Sequence, residues 1–460
     1  MRILLLTQIV PSPPDSGPKI KTLNVLKHLA EHHDVHLVSF ARTPAEEQAA
    51  EALRPWCQTI DLVPLTRSRR LDVTALARSF LTRRPFLVER DDSVAMRACI
   101  ARILDTYQFD AVHADQLTMG QFAVDLPLPL RVLDEHNAVW TIVRRVAEQE
   151  PWGPKRLVAE LEWRRLRTYE QALCRAFDHV LVVSETDLHD LCPESGRRPT
   201  VTADGRLAAG DGPAATIVPI VVDTEALAYA PPTPDAQHVL SMATMFYPPN
   251  VEGVIWFGQQ IFPHVKSQQP ETRFLVVGAR PPEHVHALET EASGIEVAGY
   301  VDDLGAYLKQ SAVLVVPLHS GSGMRVKILE AFSRGIPVVS TTIGVEGIEA
   351  RHREHLLVAD TPHDFALAVL DTLRDRESAL RRAAAARALV EERYSRRRAL
   401  AGMDALYPPA PAAPIAPDSP PASATPDTTP APVAAAASAP STDASAPSTA
   451  SDYVMTGSRA

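Results

Sequence analysis

The chain has 460 residues, 45% of them hydrophobic and 22% charged, which is enough for two ordinary domains with substantial cores. A formal net charge of −10 argues against nucleic acid as a bulk partner, and four cysteines without CxxC or CxxxC spacing suggest neither a zinc site nor a disulfide framework. No apolar stretch approaches the ~20 residues that span a bilayer, so the expectation is a cytoplasmic protein that can touch a membrane but not cross one.

The apolar run Ile3–Gln8 is far too short for a signal segment and reads as a first strand. The Pro/Gly/Ser loop Pro11–Pro18 opens a helix over Lys19–His32, and Val35–Phe40 returns as a second strand, the start of a doubly wound α/β sheet. Gly17 stands in that first loop. It is either a plain turn glycine or a place where the backbone must approach a ligand closely. The clusters Arg67–Arg70 and Arg83-Arg84 fit a solvated surface, or attraction to an anionic lipid headgroup or lipid-linked acceptor. Short strands at Asp110–His113 and Arg131–Asp134 follow, the second leading into Glu135-His136-Asn137. His136 lies just past a strand's carboxyl end, where open α/β sheets collect ligands, although a lone histidine is also common as a structural residue. A charged helix over Lys155–Ala176, a strand at Val180–Ser184 and a polar loop at Pro193–Pro213 precede Thr216–Val222, the expected last strand of the first domain. Asp223–Pro234 reads as a linker.

A second βαβ series opens at Val239–Met245, with Phe246–Asn250 as its loop and Val251–Phe262 as its helix; no Lys or Arg occurs between Val239 and Pro263. Strands at Arg273–Val277 and Ile295–Ala298 lead to the most informative stretch, Leu314–Ile336. There a buried strand, Ala312–Pro317, runs into the small-residue loop His319-Ser320-Gly321-Ser322-Gly323. An amphipathic helix then spans Arg325–Arg334, with Gly335 as its C-cap, and a second strand follows at Ile336–Thr342. Unpaired N–H groups and the positive end of the helix dipole make such a loop an anion site. Arg325 and Lys327 add two cations where a helix ordinarily prefers acids, and a diphosphate would neutralise them. Glu330, about a turn and a half further on, suits the vicinal hydroxyls of a ribose. The alternative is an ordinary connection, since neither GxxxxGK[ST] nor GxGxxG is present. Glu346, in the later loop Gly344–Gly347, is a candidate for donor contacts or for a cap. Helices are expected over Asp364–Arg374 and Ser378–Leu406. From Pro408 to Ala460 the Pro/Ala/Ser/Thr composition cannot offset the entropy of ordering and reads as a disordered tail. Removing everything after Leu406 is accordingly expected to leave the melting temperature nearly unchanged.

Gly321–Ala331, GSGMRVKILEA, resembles the donor-binding signature of retaining glycosyltransferases of the GT-B fold, family 4, the group 1 type. In the family's ExxxxxxxE spacing the second Glu matches Glu330, while the first falls at Ser322, where this chain departs from the pattern. The resemblance implies two Rossmann-like domains facing a cleft. The acceptor side would be 1–222, with a terminal helix at about 388–406 packing back on it, and the donor side 223–387. It further implies transfer of a sugar from a nucleotide-diphospho-sugar to an acceptor hydroxyl, with retention and with neither metal nor cofactor. A saccharide or lipid-linked saccharide would be the acceptor, in bacterial exopolysaccharide, capsule or envelope glycan synthesis. In roles, the resemblance implies donor contacts from Gly17, Gly321, Ser322, Gly323, Glu330 and Glu346, leaving-group stabilisation by Arg325 and Lys327, and a sugar contact from His136. Lys19 and Lys21 sit where related chains often have arginines. A sugar-nucleotide epimerase on the same fold, or a non-catalytic nucleotide-sugar-binding subunit, fits the same residues. An NAD-dependent dehydrogenase does not, because the first βα loop lacks the glycine fingerprint.

Overall fold

The computed structural model describes residues 1–193, 214–225, 227–245, 247–301, 303–321 and 323–408. Among these, strands β1 (Arg2–Thr7), β2 (Asp34–Ala41), β3 (Thr59–Pro64), β4 (Ala111–Asp115), β5 (Leu130–Asp134), β6 (His179–Val182) and β7 (Ala214–Ile217) form one parallel sheet, ordered β3-β2-β1-β4-β5-β6-β7. A second parallel sheet contains β8 (His238–Met242), β9 (Phe274–Val277), β10 (Ile295–Gly299), β11 (Ser311–Val316), β12 (Val338–Ser340) and β13 (Leu357–Val358), ordered β10-β9-β8-β11-β12-β13. Central strands such as β1 and β11 are unbroken apolar runs because helices cover both faces of each sheet. Each sheet therefore has two cores: Leu4, Leu6 and Val112 point to one side of the first, and Ile3, Leu5 and Val132 to the other.

The differences from expectation have local causes. The helix after β8 begins at Pro248, not Val251, because prolines suit the first helical turn, where the missing N–H has no partner to lose. It continues through a π turn at Phe257–Ile261 into a further helix at Phe262–Gln268. The strand expected over Thr216–Val222 ends at Ile217, and Val222 instead bridges to Ser395. Residues 44–106 gave little sequence signal. Their strand β3 is a half-buried edge interrupted by Asp61, and three helices follow it at Arg69–Thr82, Phe86–Asp91 and Val94–Thr106.

The helix expected over Ser378–Leu406 breaks at Tyr394. Its first part, Arg376–Arg393, packs on the second sheet through Ala386, Leu389 and Val390. After Ser395 the chain reaches the first sheet, where Ala399, Leu400, Met403, Leu406 and Tyr407 join the core of Ile3 and Leu5. Tyr407 is 2% exposed, and its hydroxyl lies 2.8 Å from Nδ1 of His113. A truncation after Leu406 therefore cuts into the core, and the expectation of an unchanged melting temperature is corrected for that boundary. Tyr407→Ala should cost about 3–5 kcal/mol, the range for emptying a buried aromatic site, measured by urea unfolding. A melting point within error of the parent would contradict this. The remainder of the expected tail, residues 409–460, lies outside the described residues.

Candidate functional site

A doubly wound sheet opens a crevice where its strand order reverses, beyond the carboxyl ends of the strands. In the first sheet the reversal lies between β1 and β4, and in the second between β8 and β11. The chain leaves β1 for the helix Gly17–Ala30 and leaves β11 for the helix Val326–Arg334. These helices meet end to end: a Cβ built on Gly17 would lie 3.6 Å from Cγ2 of Val326. Two helix N-termini, each the positive end of its dipole, thus converge between the sheets.

The loop before Val326 is shaped by its glycines. Gly321 has φ +97°, and a Cβ there would sit 2.8 Å from the Tyr247 hydroxyl, so a side chain would face both strain and collision. Gly323 also has positive φ, while Ser322 lies outside the described residues. Arg325 is the residue preceding the first helical turn rather than a member of it; it is buried, and Nη1 donates to the Gly323 carbonyl at 2.6 Å. Lys327 Nζ donates to Asn250 Oδ1 at 3.0 Å, and Asn250 Nδ2 donates to the Thr244 carbonyl at 2.9 Å. The β8 loop, which carries no cation, supplies the oxygen that aims Lys327. Burial, and then the neighbouring charge of Arg325, pull the Lys327 pKa down to about 7. Burial also lowers Arg325 and raises the Glu330 carboxyl, the latter partly offset by Arg334. Two cations and a carboxylate are thus buried together at the start of one helix and just before it, an arrangement that a bound anion would favour.

Across the cleft, His136 follows β5 as expected and is 4% exposed. Its Nε2 lies 2.9 Å from Asp115 Oδ1, and since a carboxylate only accepts, Nε2 carries the proton. Nδ1 is buried with no hydrogen-bond partner among the described residues. Asp115 also accepts from Thr22 Oγ1 at 3.0 Å, and the next residue, Gln116, has φ +72°, a strained value for a side-chain-bearing residue. The neighbouring Asn137 approaches the glycine loop, its Nδ2 3.9 Å from a Cβ built on Gly323. Asp115, Asp134 and His136 bring ligand atoms within 4.8 Å of one another, close enough for a metal ion. Their charge is already answered from within the protein, however, because the buried Lys21 ammonium pairs with Asp134. Lys21 thus faces inward to Asp134, while Lys19 pairs with Asp15 at 3.0 Å.

One clasp between the halves escaped the sequence. Arg145, on the helix Val139–Gln149, donates to both carboxylate oxygens of Glu346 at 2.8 and 2.6 Å and to the Gly321 carbonyl at 2.7 Å. Glu346 is therefore engaged by Arg145 in this state of the cleft. Arg145→Ala should speed amide exchange in the 319–325 loop by about tenfold, the loss of one charge-assisted bond. Exchange unchanged from the parent would show that the clasp does not order the loop.

Residues 236–375 match the family model described as Glycosyl transferases group 1. That match falls within the second domain. The whole chain is similar in fold to sucrose-phosphate synthase from Thermosynechococcus elongatus (TM-score 0.61, 16% identity, 88% of this chain and 98% of that one). It is similar also to Anabaena Alr3699/HepE in complex with UDP (TM-score 0.59, 14% identity, 88% and 99%). The fold is GT-B. A curated relative, an uncharacterized 44.6 kDa protein in the cps region of Klebsiella pneumoniae, is 25% identical over 141 residues. That match spans 29% of this chain and 36% of the relative's length. No helix among the described residues is long and apolar enough to cross a membrane.

Proposed function

We propose that this glycosyltransferase moves a sugar from a nucleotide-diphospho-sugar to an acceptor hydroxyl, with retention of anomeric configuration, in the synthesis of a bacterial surface polysaccharide. The observation that carries this is the meeting of two helix N-termini beside Arg325 and Lys327. A diphosphate seated there would receive backbone N–H groups from two sides and two side-chain cations from one. As the bond between the sugar's anomeric carbon and the diphosphate oxygen breaks, charge grows on the leaving oxygen. The acceptor oxygen bonds to that carbon, and its proton passes to the departing diphosphate. Donors fixed before the reaction stabilise this charge more in the transition state than in the ground state, which is the difference that raises rate. The protein's own cations are placed for the task that a metal performs in other diphosphate sites.

In this scheme Glu330 accepts from the ribose hydroxyls, and the backbone at Gly17, Gly321 and Gly323 approaches the phosphates. Asp115 orients His136, whose unpartnered Nδ1 faces the sugar. Donor binding falls to the second domain and acceptor binding to the first. The relative from a cps region and the neighbour bound to UDP favour a saccharide acceptor, free or lipid-linked, and a nucleotide donor. The decisive experiment screens nucleotide-diphospho-sugars by thermal shift, then follows nucleoside-diphosphate release with and without saccharide acceptors. Acceptor-dependent release, with the donor's anomeric configuration kept in the product by NMR, is the expected result. Turnover of the donor without acceptor would identify an epimerase, and stabilisation without turnover would identify a binding subunit.

A further inference from the structure

The large apolar side chains that remain exposed among the described residues are unevenly distributed. Five lie on the helix Arg69–Thr82 and five between Val146 and Leu161, against four everywhere else. Isolated exposed leucines need no explanation, but a shared face does. These two regions form one: Arg165, on the helix Pro154–Ala176, stacks 5.3 Å from the ring of Phe80, and the backbone N–H of Phe86 donates to Glu162 at 2.6 Å. Phe80 and Leu81 are 53% and 85% exposed, and Trp152, at the turn before the second helix, is 80% exposed. Val73, Leu157 and Leu161 extend the same face.

The charge on this face is opposite to that of the whole chain. The segment Arg69–Arg84 carries five arginines against one aspartate, whereas the chain's net charge is −10. Arg78 and Arg84 are partly answered by Glu89 and Asp92 at 3.4–3.8 Å. Arg69, Arg70, Arg83 and Lys155 remain on the exposed surface around the apolar side chains. The combination is specific. Side chains as exposed as Leu81 and Trp152 are shaped to enter a soft medium, and the surrounding arginines and lysine are placed to stay at the level of anionic headgroups.

We propose that the face formed by Arg69–Thr82 and the start of Pro154–Ala176 docks on an anionic lipid bilayer. It lies beside the cleft of the first domain. Asp91, in the helix that follows, accepts from Gln8 Nε2 at 3.0 Å just beyond β1, and Trp152 follows the helix that bears Arg145. Docking there turns the first domain's side of the cleft toward the membrane. On the transferase reading, and only on it, that orientation presents the cleft to a lipid-linked acceptor.

The test uses the full chain with no donor present, so its failure leaves the transferase reading standing. In flotation assays the chain should rise with phosphatidylglycerol–phosphatidylcholine vesicles and not with phosphatidylcholine alone, and salt should weaken the binding. Arg69→Glu, Arg70→Glu and Arg83→Glu combined should lower vesicle affinity at least about a hundredfold, since each nearby charge contributes about fivefold before reversal is counted. Phe80→Ser with Leu81→Ser should lower it about tenfold or more. Arg351→Glu, on the second domain, should not change it. Melting temperatures close to the parent's identify the variants as folded. Equal binding to both vesicle types, undiminished binding by the triple variant, or no binding by the parent chain overturns the proposal. So does a concentration-dependent dimer that the same substitutions abolish, which would make a second copy the occupant.

Discussion

Lys327→Ala should weaken binding of a nucleoside diphosphate by about a hundredfold while changing nucleoside binding little, because it removes a cation that faces phosphate. Arg325→Ala should do the same, and the pair should lower kcat/KM further than either alone. The two cations differ in one respect that pH exposes. Arginine stays charged, whereas the Lys327 ammonium, held at about 7 by burial and by Arg325, is largely neutral at pH 8 and above in the empty cleft. A bound diphosphate favours the charged form and draws this pKa back up. Affinity should therefore be greatest below pH 7 and fall by up to about tenfold per pH unit above it. The ligand's last ionisation is complete by then, since phosphate groups of this kind titrate near ~6, so it adds no slope. Calorimetry at pH 8 in two buffers of different ionisation enthalpy should register uptake of about one proton per complex. Lys327→Ala should remove both the slope and the uptake. A variant that keeps them, or one that loses nucleoside and nucleoside-diphosphate affinity equally, would end the assignment of Lys327 to phosphate.

What could be read from the chain beforehand was whatever is written locally. β1 and β11 are apolar runs whose burial follows from composition, and the helix Val326–Arg334 stops at Gly335, whose φ of +76° suits the residue. The glycine loop, both cations and His136 could be found because each lies at a strand end or helix start, and those positions carry a local pattern. Partnerships carry none. Arg145 and Glu346 are 201 residues apart, His113 and Tyr407 are 294 apart, and no periodicity links them. Asn250 gave no signal either, since an asparagine after two prolines reads as a turn until Lys327 is seen beside it. The partner of Lys21 was hidden for a related reason. Only the register of β1, β4 and β5 brings Asp134 beside it.

That buried pair sets a stability effect as large as the one expected for Tyr407. Lys21 and Asp134 have side chains 1% and 0% exposed. Burial by itself would raise the Asp134 carboxyl, but the Lys21 charge, with His113 Nε2 3.4 Å away, outweighs it and holds the pKa far below the ordinary carboxylate range. Lys21→Met fills most of the same space and leaves Asp134 without its cation, which should cost about 3–5 kcal/mol near neutral pH. The sign of the pH dependence follows from the lowered carboxyl. In the parent, this pair's contribution is fully present above the unfolded carboxylate pKa of about 3.9 and is lost as pH falls towards the folded value. The gap between parent and Lys21→Met should therefore be widest near neutrality and shrink on acidification, as the stranded carboxylate takes up a proton. Urea unfolding of both proteins from pH 7 down to pH 4 measures it. Adding Asp134→Asn to Lys21→Met removes the stranded charge and should recover part of the loss at pH 7. If the double variant were no more stable than Lys21→Met, the damage would come from lost packing, and the ion pair would not be what holds the base of the cleft together.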